Sequence, residues 1–355
     1  MNTPAHSPHA HAPASVGGIM ATVMACLVPA TLYGFWLYGW PALFLWTVAL
    51  LAALGAEALA LRLRGMPPRP ALMDGSALLT AWLLALSLPP FAPWWIAVLG
   101  SVFAVVVVKQ VFGGLGQNVF NPAMAARVML LISFPVEMTL WAAPTPFASA
   151  HAPGFAASWA ITFGGAQWDA IASASVLGHV KTELTRGVDL FASLPGHFAA
   201  GEASWGRRAG SLGETAALLL AAGGLVLIAR RVVTWHAPLA MLAGVALPAL
   251  IAHAVDPARY LGVTEHLLSG GLMLGAFFIA TDPVTSPNTA RGQLLFGAGC
   301  GLLTWIIRSW GGYPEGVAFA VLLMNAATPV IDRYVKPRIY GRDARGRALP
   351  SEAGK

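Results

Sequence analysis

The chain has 355 residues, of which 57% are hydrophobic and only 10% charged, and its mean hydropathy is +0.67. A soluble domain carries about 25% charged residues, so several apolar runs of span length with this little charge mean a polytopic helical membrane protein and exclude a soluble globular one. The net charge of +6 comes from Lys and Arg in short loops and the C-terminal tail, the usual membrane distribution, and implies no nucleic-acid partner.

In chain order, residues 1–17 read as an N-terminal tail holding His6, His9 and His11 but no Lys or Arg. It lacks the basic start of a signal peptide, and its histidines fit a solvated tail better than a metal site. Five spans follow, at about 18–39, 42–62, 75–89, 92–109 and 121–135, forming a first membrane unit over 18–135. The third is short and stops at Pro89-Pro90; the fourth stops at Lys109. Residues 136–212 read as a hydrophilic insert. A second membrane unit, 213–331, holds spans at about 213–230, 235–254, 265–281, 292–308 and 314–331, and a basic tail occupies 332–355. Transmembrane β-strands would show weak alternation over about ten residues instead.

Charge sets the topology. With both termini in the cytoplasm, Arg62, Arg64, Arg69, Lys109, Arg230, Arg231, Arg291 and the tail from Arg333 onward all face inward, as the positive-inside tendency asks. The insert then lies outside, with Arg259 and Arg308 on the less favoured side. Cys26 and Cys300 stand alone in separate apolar runs, which gives no cluster framework; electrons carried by this chain need another carrier.

The two units punctuate alike. The first has 74-DGS-76, a break at Pro89, Lys109 and then Gly113-Gly114; the second has 269-SGG-271, a break at Pro283, Arg308 and then Gly311-Gly312. Five spans per unit is an odd number, so related units would be inverted in the membrane and would place a site near the midplane, at broken helices. Chance similarity of Gly and Pro punctuation is the alternative.

The densest polar signal within apolar sequence is 279-IATDPVTSPNT-289. A charged Asp at membrane depth is costly unless compensated, and two prolines break the helix and free backbone groups. Either Thr281, Asp282 and Thr285 line a cofactor or cation site, or this is a surface loop in which Asp282 or Thr285 caps the next helix. In 109-KQVFGGLGQNVFNPAMAARVML-130, Asn118 and Asn121 share a face if the segment is helical. Amides both donate and accept, which suits a neutral heterocycle such as a flavin ring; the alternative is a Gly-rich turn with an Asn cap before Pro122. In 207-RRAGSLGETAALLL-220, Ser211 and Glu214 have capping-box spacing, and Arg208 near a helix start suits a phosphate. Within 168-WDAIASASVLGHVKTEL-184, Ser173 and Ser175 lie among alanines, with His179 four residues beyond Ser175 but no nucleophile elbow.

These motifs together resemble the RnfD/NqrB family, ten-span subunits of the Rnf ion-translocating ferredoxin:NAD oxidoreductase and of the sodium-pumping quinone reductase. The resemblance runs through 74-DGSALLTAWLLALSLPP-90, 109-KQVFGGLGQNVFNPAMAARVMLLISFP-135, 207-RRAGSLGET-215, 230-RRVVTW-235 and 279-IATDPVTSP-287. It implies an all-α polytopic protein of about ten transmembrane helices in two inverted five-helix repeats, with a long extracytoplasmic loop, in a bacterial inner membrane. It also implies an FMN joined through its phosphate to a Ser or Thr by a separate flavin transferase. The family motif falls on Asp169 to Ser175, making Ser175 the acceptor; Ala170 and Ser173 replace the motif's two glycines. Arg208, Ser211, Glu214 and Thr215 would surround that FMN. A non-covalent riboflavin would sit at Asn118, Asn121, Thr281, Asp282 and Thr285, with Asp282 balancing flavin charge or binding a cation.

The expected function is a flavin-carrying electron-transfer subunit of a redox-driven Na⁺ or H⁺ pump, not catalytic alone. Its partners would be RnfA, RnfB, RnfC, RnfE, RnfG and membrane lipid. The alternatives are an NqrB-like subunit of a quinone reductase and an inverted-repeat channel of the urea or ammonium type.

Overall fold

The computed structural model describes residues 15–147, 149–166, 175–213 and 216–337, and their regular elements are helices. The first five are α1 (Val16–Tyr38), α2 (Trp40–Leu63), α3 (Pro68–Met73), α4 (Ser76–Ser87) and α5 (Trp94–Val102). Helix α5 continues as a wider π-helical stretch, Phe103–Gln110, and α6 (Pro122–Ser133) and α7 (Pro135–Thr139) follow. The middle of the chain folds as α8 (Phe155–Gly164), α9 (Val176–Thr185), α10 (Leu190–Ser193) and α11 (Ala200–Trp205). Then come α12 (Ala217–Ala229), α13 (His236–Val255), α14 (Val263–Leu268), α15 (Leu272–Leu274) with a π-helical extension Gly275–Ile279, α16 (Ala290–Trp310) and α17 (Val317–Tyr334).

Four of these helices, α1, α2, α13 and α16, are long and apolar enough to cross a membrane. They read apolar all round and leave many large side chains exposed, among them Leu32, Leu51, Leu59, Leu247, Ile251 and Leu295. Helices with apolar outer faces as well as apolar inner ones are built for lipid. The remaining apolar helices are shorter, including α4, α6, α8 and α12.

Close approach in this bundle rests on glycine. At Gly301 of α16 a Cβ would run into Met241 O and stand 2.8 Å from Gly244 Cα, and at Gly244 it would stand 2.6 Å from Ala298 O. Helices α13 and α16 therefore touch backbone to backbone, the packing that small residues permit where lipid supplies no hydrophobic drive.

The two short interior helices are closed by distant residues. The last carbonyls of α4 have no partner within the helix, because Pro89 and Pro90 stop it. Leu86 O accepts from Gly213 N, Leu88 O accepts from Leu212 N at 3.4 Å, and Ser87 O accepts from the Arg127 guanidinium of α6. The segment around 209–213 is buried and is held from the other side by the Tyr38 hydroxyl, which donates to Arg208 O and Gly210 O. At the corresponding break in the second unit, Thr285 O accepts from Asn325 Nδ2 of α17 at 3.1 Å and from the Thr328 hydroxyl at 3.0 Å.

Three expectations change. The segment expected as one span at 265–281 is broken at Ser269-Gly270-Gly271, with Gly270 at φ 68°. The insert is not uniformly hydrophilic: α8 packs Phe155, Trp159 and Phe163 against Phe44 of α2, and Phe155 also against Trp40. The capping box at Ser211 does not form, because α12 starts only at Ala217 behind Ala216 and Ser211 is buried in the α4 closure; Glu214 and Thr215 lie outside the described residues.

Gly301→Leu should lower stability by about 1–3 kcal/mol through overpacking, read as a lower unfolding temperature in detergent. Gly55→Leu is the control, because a Cβ there meets nothing within 4 Å.

Candidate functional site

A cavity of about 160 Å³ lies where the two units meet, an order of magnitude more than the roughly 10–15 Å³ one water needs by the same measure. Its walls are mostly apolar: Val23 of α1, Leu79 and Leu83 of α4, Leu227 of α12, and Phe277 and Phe278. Its polar groups are Ser76, Thr80, Lys109, Asn118, Asn121, Thr281 and Asp282. Apolar walls with a few convergent polar groups are the usual form of a small-molecule site.

The amides arrive there from a turn, not a helix. Residues 111–121 run as turns, with Gly113, Gly114 and Gly116 at φ 126°, 103° and 87°, a region that Cβ-bearing residues avoid. Asn118 Nδ2 donates to Phe120 O at 3.0 Å, which fixes the amide against its own loop. Asn121 caps α6, its Oδ1 accepting from Met124 N at 3.2 Å, while its Nδ2 donates to Asp282 Oδ2 at 3.3 Å. The cap and the cavity position are thus the same residue.

Three donors meet the Asp282 carboxylate. Oδ1 accepts from Val284 N at 3.1 Å, and Oδ2 accepts from the Thr285 hydroxyl at 3.0 Å as well as from Asn121. It does not cap the next helix, which Thr289 does through Gly292 N. Thr285 is buried behind it, while Thr281 turns its hydroxyl back onto Phe277 O at 2.8 Å. Asn325 of α17 is 1% exposed and clamps both units: its Oδ1 accepts from Asn121 N at 3.0 Å and its Nδ2 donates to Thr285 O.

Lys109 brings a charge into the cavity wall. Its Nζ stands 2.7 and 2.9 Å from the two carboxylate oxygens of Glu57 in α2, and donates to the Ser76 hydroxyl at 2.6 Å. The Glu57 side chain is 1% exposed and that of Lys109 3%. Leaving either charge buried without the other would cost about 3–5 kcal/mol.

On the far side of the bundle, Ser175 is the N-cap of α9 and its Oγ accepts from Gly178 N at 3.2 Å. It lines a small cavity, about 20 Å³, together with Arg208, Ser269, Gly270 and Glu315. Arg208 donates to Ser269 Oγ at 3.0 Å. Beside them Arg308 is paired with Glu315 at 3.1 Å. A helix start and the Arg208 guanidinium favour an anion, while Arg308 and Glu315 neutralise each other. Lys181 of α9 donates to Tyr313 O at 2.7 Å and Ile307 O at 3.2 Å, anchoring this segment to the bundle, and its partial burial lowers its pKa from the ordinary lysine value. His179 is stacked on His197 with ring centres 3.9 Å apart.

Asn118, Asn121, Thr281 and Asp282 therefore share one cavity with Thr285 directly behind, and Ser175 and Arg208 share another. Ser211 lies away from both linings, in the α4 closure. Ser173 and the motif positions 169–174 lie outside the described residues. Sequence reasoning missed Glu57 and Asn325; a lone acid and a lone amide inside apolar spans 42–62 and 314–331 were the available signal.

Among known proteins, the family model described as NQR2, RnfD, RnfE matches residues 3–341. A protein of Halorhodospira halophila is 52% identical over 346 residues, covering 97% of each chain, and one of Stutzerimonas stutzeri is 55% identical over 336 residues, covering 94% of this chain and 95% of its own. A protein of Escherichia coli is 44% identical over 351 residues, covering 95% of this chain and 97% of its own. All three are named as a subunit of an ion-translocating oxidoreductase complex.

Asn325→Leu should strand the Asn121 N–H and cost about 1–3 kcal/mol. The measurement is thermal unfolding in detergent, and an unchanged midpoint would show that the clamp contributes nothing.

Proposed function

The chain belongs to the NQR2, RnfD, RnfE family, and we propose that it is the flavin-carrying electron-transfer subunit of a membrane redox-driven ion pump of the Rnf type. The relatives named as subunits of an ion-translocating oxidoreductase complex match over nearly their whole length, which supports a subunit that works within a complex and not alone. We assign it to a bacterial inner membrane with RnfA, RnfB, RnfC, RnfE and RnfG as its fellow subunits.

The observation that carries the flavin reading is the cavity between the two units. Its leucine, valine and phenylalanine walls suit the faces of a ring system, and Asn118, Thr281 and Lys109 at its margin suit the ring's polar edge. We place a non-covalent riboflavin there. Ser175 is our acceptor for FMN: as the phosphoester its oxygen still accepts from Gly178 N, and the phosphate meets the α9 start and Arg208. The cavity beside Ser175 holds little more than a water, so the FMN ring would lie beyond it. A bound flavin supplies one-electron chemistry, and the protein supplies spacing, hydrogen bonds and dielectric.

We further propose ten spans in two inverted five-helix repeats, both termini cytoplasmic and 136–212 outside. The matched breaks support this: Lys109 stands at 74–76 and Arg308 at 269–271, while Arg127 answers a carbonyl just before the break at Pro89 and Asn325 one just past the break at Pro283.

The purified complex, denatured and digested, should show flavin mass on the peptide containing Ser175 and a UV-fluorescent band for this chain. Ser175→Ala should remove that band and Ser173→Ala should keep it. Loss with Ser173→Ala alone would move the acceptor, and no flavin on any peptide would end the covalent reading. Riboflavin released on denaturation tests the inner site, and a protein without flavin absorbance would instead favour a channel.

A further inference from the structure

Two buried cations stand at matching places in the two units, each at the start of an interrupted helix, but they are held differently. Arg308 donates to the backbone carbonyls His266 O and Ser269 O, both at 2.7 Å, as well as to Glu315. Glu315 in turn accepts from Gly271 N, Gly316 N and Val317 N. Main chain fixes that pair from both sides. Among the described residues, the hydrogen-bond partners of the Lys109 ammonium are side chains alone, Glu57 and Ser76, and the Glu57 carboxylate is met by side chains alone, Lys109 and Gln110. Among the described residues, Lys109 is also the one basic side chain in the wall of the cavity between the units. A lysine is a compact charge on a flexible four-carbon stem, and this one stands between Glu57 and the cavity.

The other charged groups around the pair are few. The Ser76 hydroxyl, which accepts from Lys109, donates to Asp74 Oδ1. Gln110, which donates to Glu57 at 2.7 Å, accepts at 2.7 Å from Arg64 at the surface. The half-buried Asp74 gives an acidic approach to the pair, and Arg64 a basic one.

We propose that Glu57 is a monovalent-cation site whose occupancy is set by Lys109. With the cavity uncharged, Lys109 neutralises Glu57 and the site is closed. Negative charge arriving in the cavity draws the ammonium across. Glu57, 0% exposed, is then a carboxylate without a counter-charge, and one H⁺ or Na⁺ entering past Asp74 balances it. When the charge leaves, Lys109 returns and the cation is expelled. One charge in the cavity thus corresponds to one cation at Glu57. This rests on the reading that the cavity holds a redox group; the ion pair itself does not.

The test uses the assembled complex in its native membranes and dicyclohexylcarbodiimide, which modifies protonated carboxyl groups in apolar surroundings. Labelling at Glu57 is followed by peptide mass spectrometry, with the oxidised complex compared with the dithionite-reduced one, without Na⁺ and with it. Reduction without Na⁺ should raise labelling of Glu57 about tenfold or more, since a buried charge stripped of its partner is strongly disfavoured. Suppression of that labelling by Na⁺ identifies Na⁺ as the cation; labelling indifferent to Na⁺ identifies H⁺. Lys109→Gln should be labelled in both redox states and Glu57→Gln in neither. If flavin bands bleach while wild-type labelling stays equal in the two states, the proposal is overturned. If the complex shows no flavin bands, the flavin reading fails. In that case, Glu57 labelled in Lys109→Gln but not in wild type still sustains Lys109 as the group holding the site closed, and equal labelling overturns it.

Discussion

Everything in this bundle follows from helices that stop inside an apolar protein. A helix that ends in water has its last carbonyls and first amides answered by solvent; one that ends among leucines must find partners in the chain. The α4 helix ends at Pro89-Pro90, and three residues from two other places close it: Leu212 and Gly213 by their backbone, and Arg127 by its guanidinium. The break at Thr285 is closed by Asn325 and Thr328. The α4 closure reaches from the first unit to the start of the second, so moving that segment would strand the carbonyls of Leu86 and Leu88.

The same requirement makes the cavity. Interrupted helices leave a volume between them, and polar residues of the interruptions, Ser76, Asn118, Asn121, Thr281 and Asp282, become its lining. Asn121 shows the economy of this: its side-chain amide caps α6 and meets Asp282, and its backbone N–H donates to Asn325 Oδ1. Asp282 is satisfied by donors alone, from Val284, Thr285 and Asn121. Glu57 differs from it in having a charged partner, the Lys109 ammonium.

The middle segment, 136–212, is bound to this core by two devices. Its end, around 209–213, is part of the α4 closure, and Lys181 bonds α9 to the carbonyls of Ile307 and Tyr313. Ser175 is therefore held on a rigid helix start beside Arg208, not on a free loop.

Hydropathy and Pro and Gly punctuation, read along the chain, located the helical segments within a few residues: 42–62 became Trp40–Leu63 and 235–254 became His236–Val255. They also marked Asn118, Asn121, Thr281 and Asp282, since polar residues at apolar depth stand out one by one. Local spacing failed where a distant segment decided the outcome. Ser211 and Glu214 had capping-box spacing, yet Ser211 went into the α4 closure because Leu86 and Leu88 needed backbone partners there. Glu57 and Lys109 are separated by 52 positions and Asn121 and Asn325 by 204. The sequence by itself determined a helical membrane protein and its polar interruptions, because burial in lipid acts on each residue alone. Only the tertiary structure decided which interruptions meet, because a hydrogen bond or an ion pair depends on two residues, and the distance between them is a property of the fold.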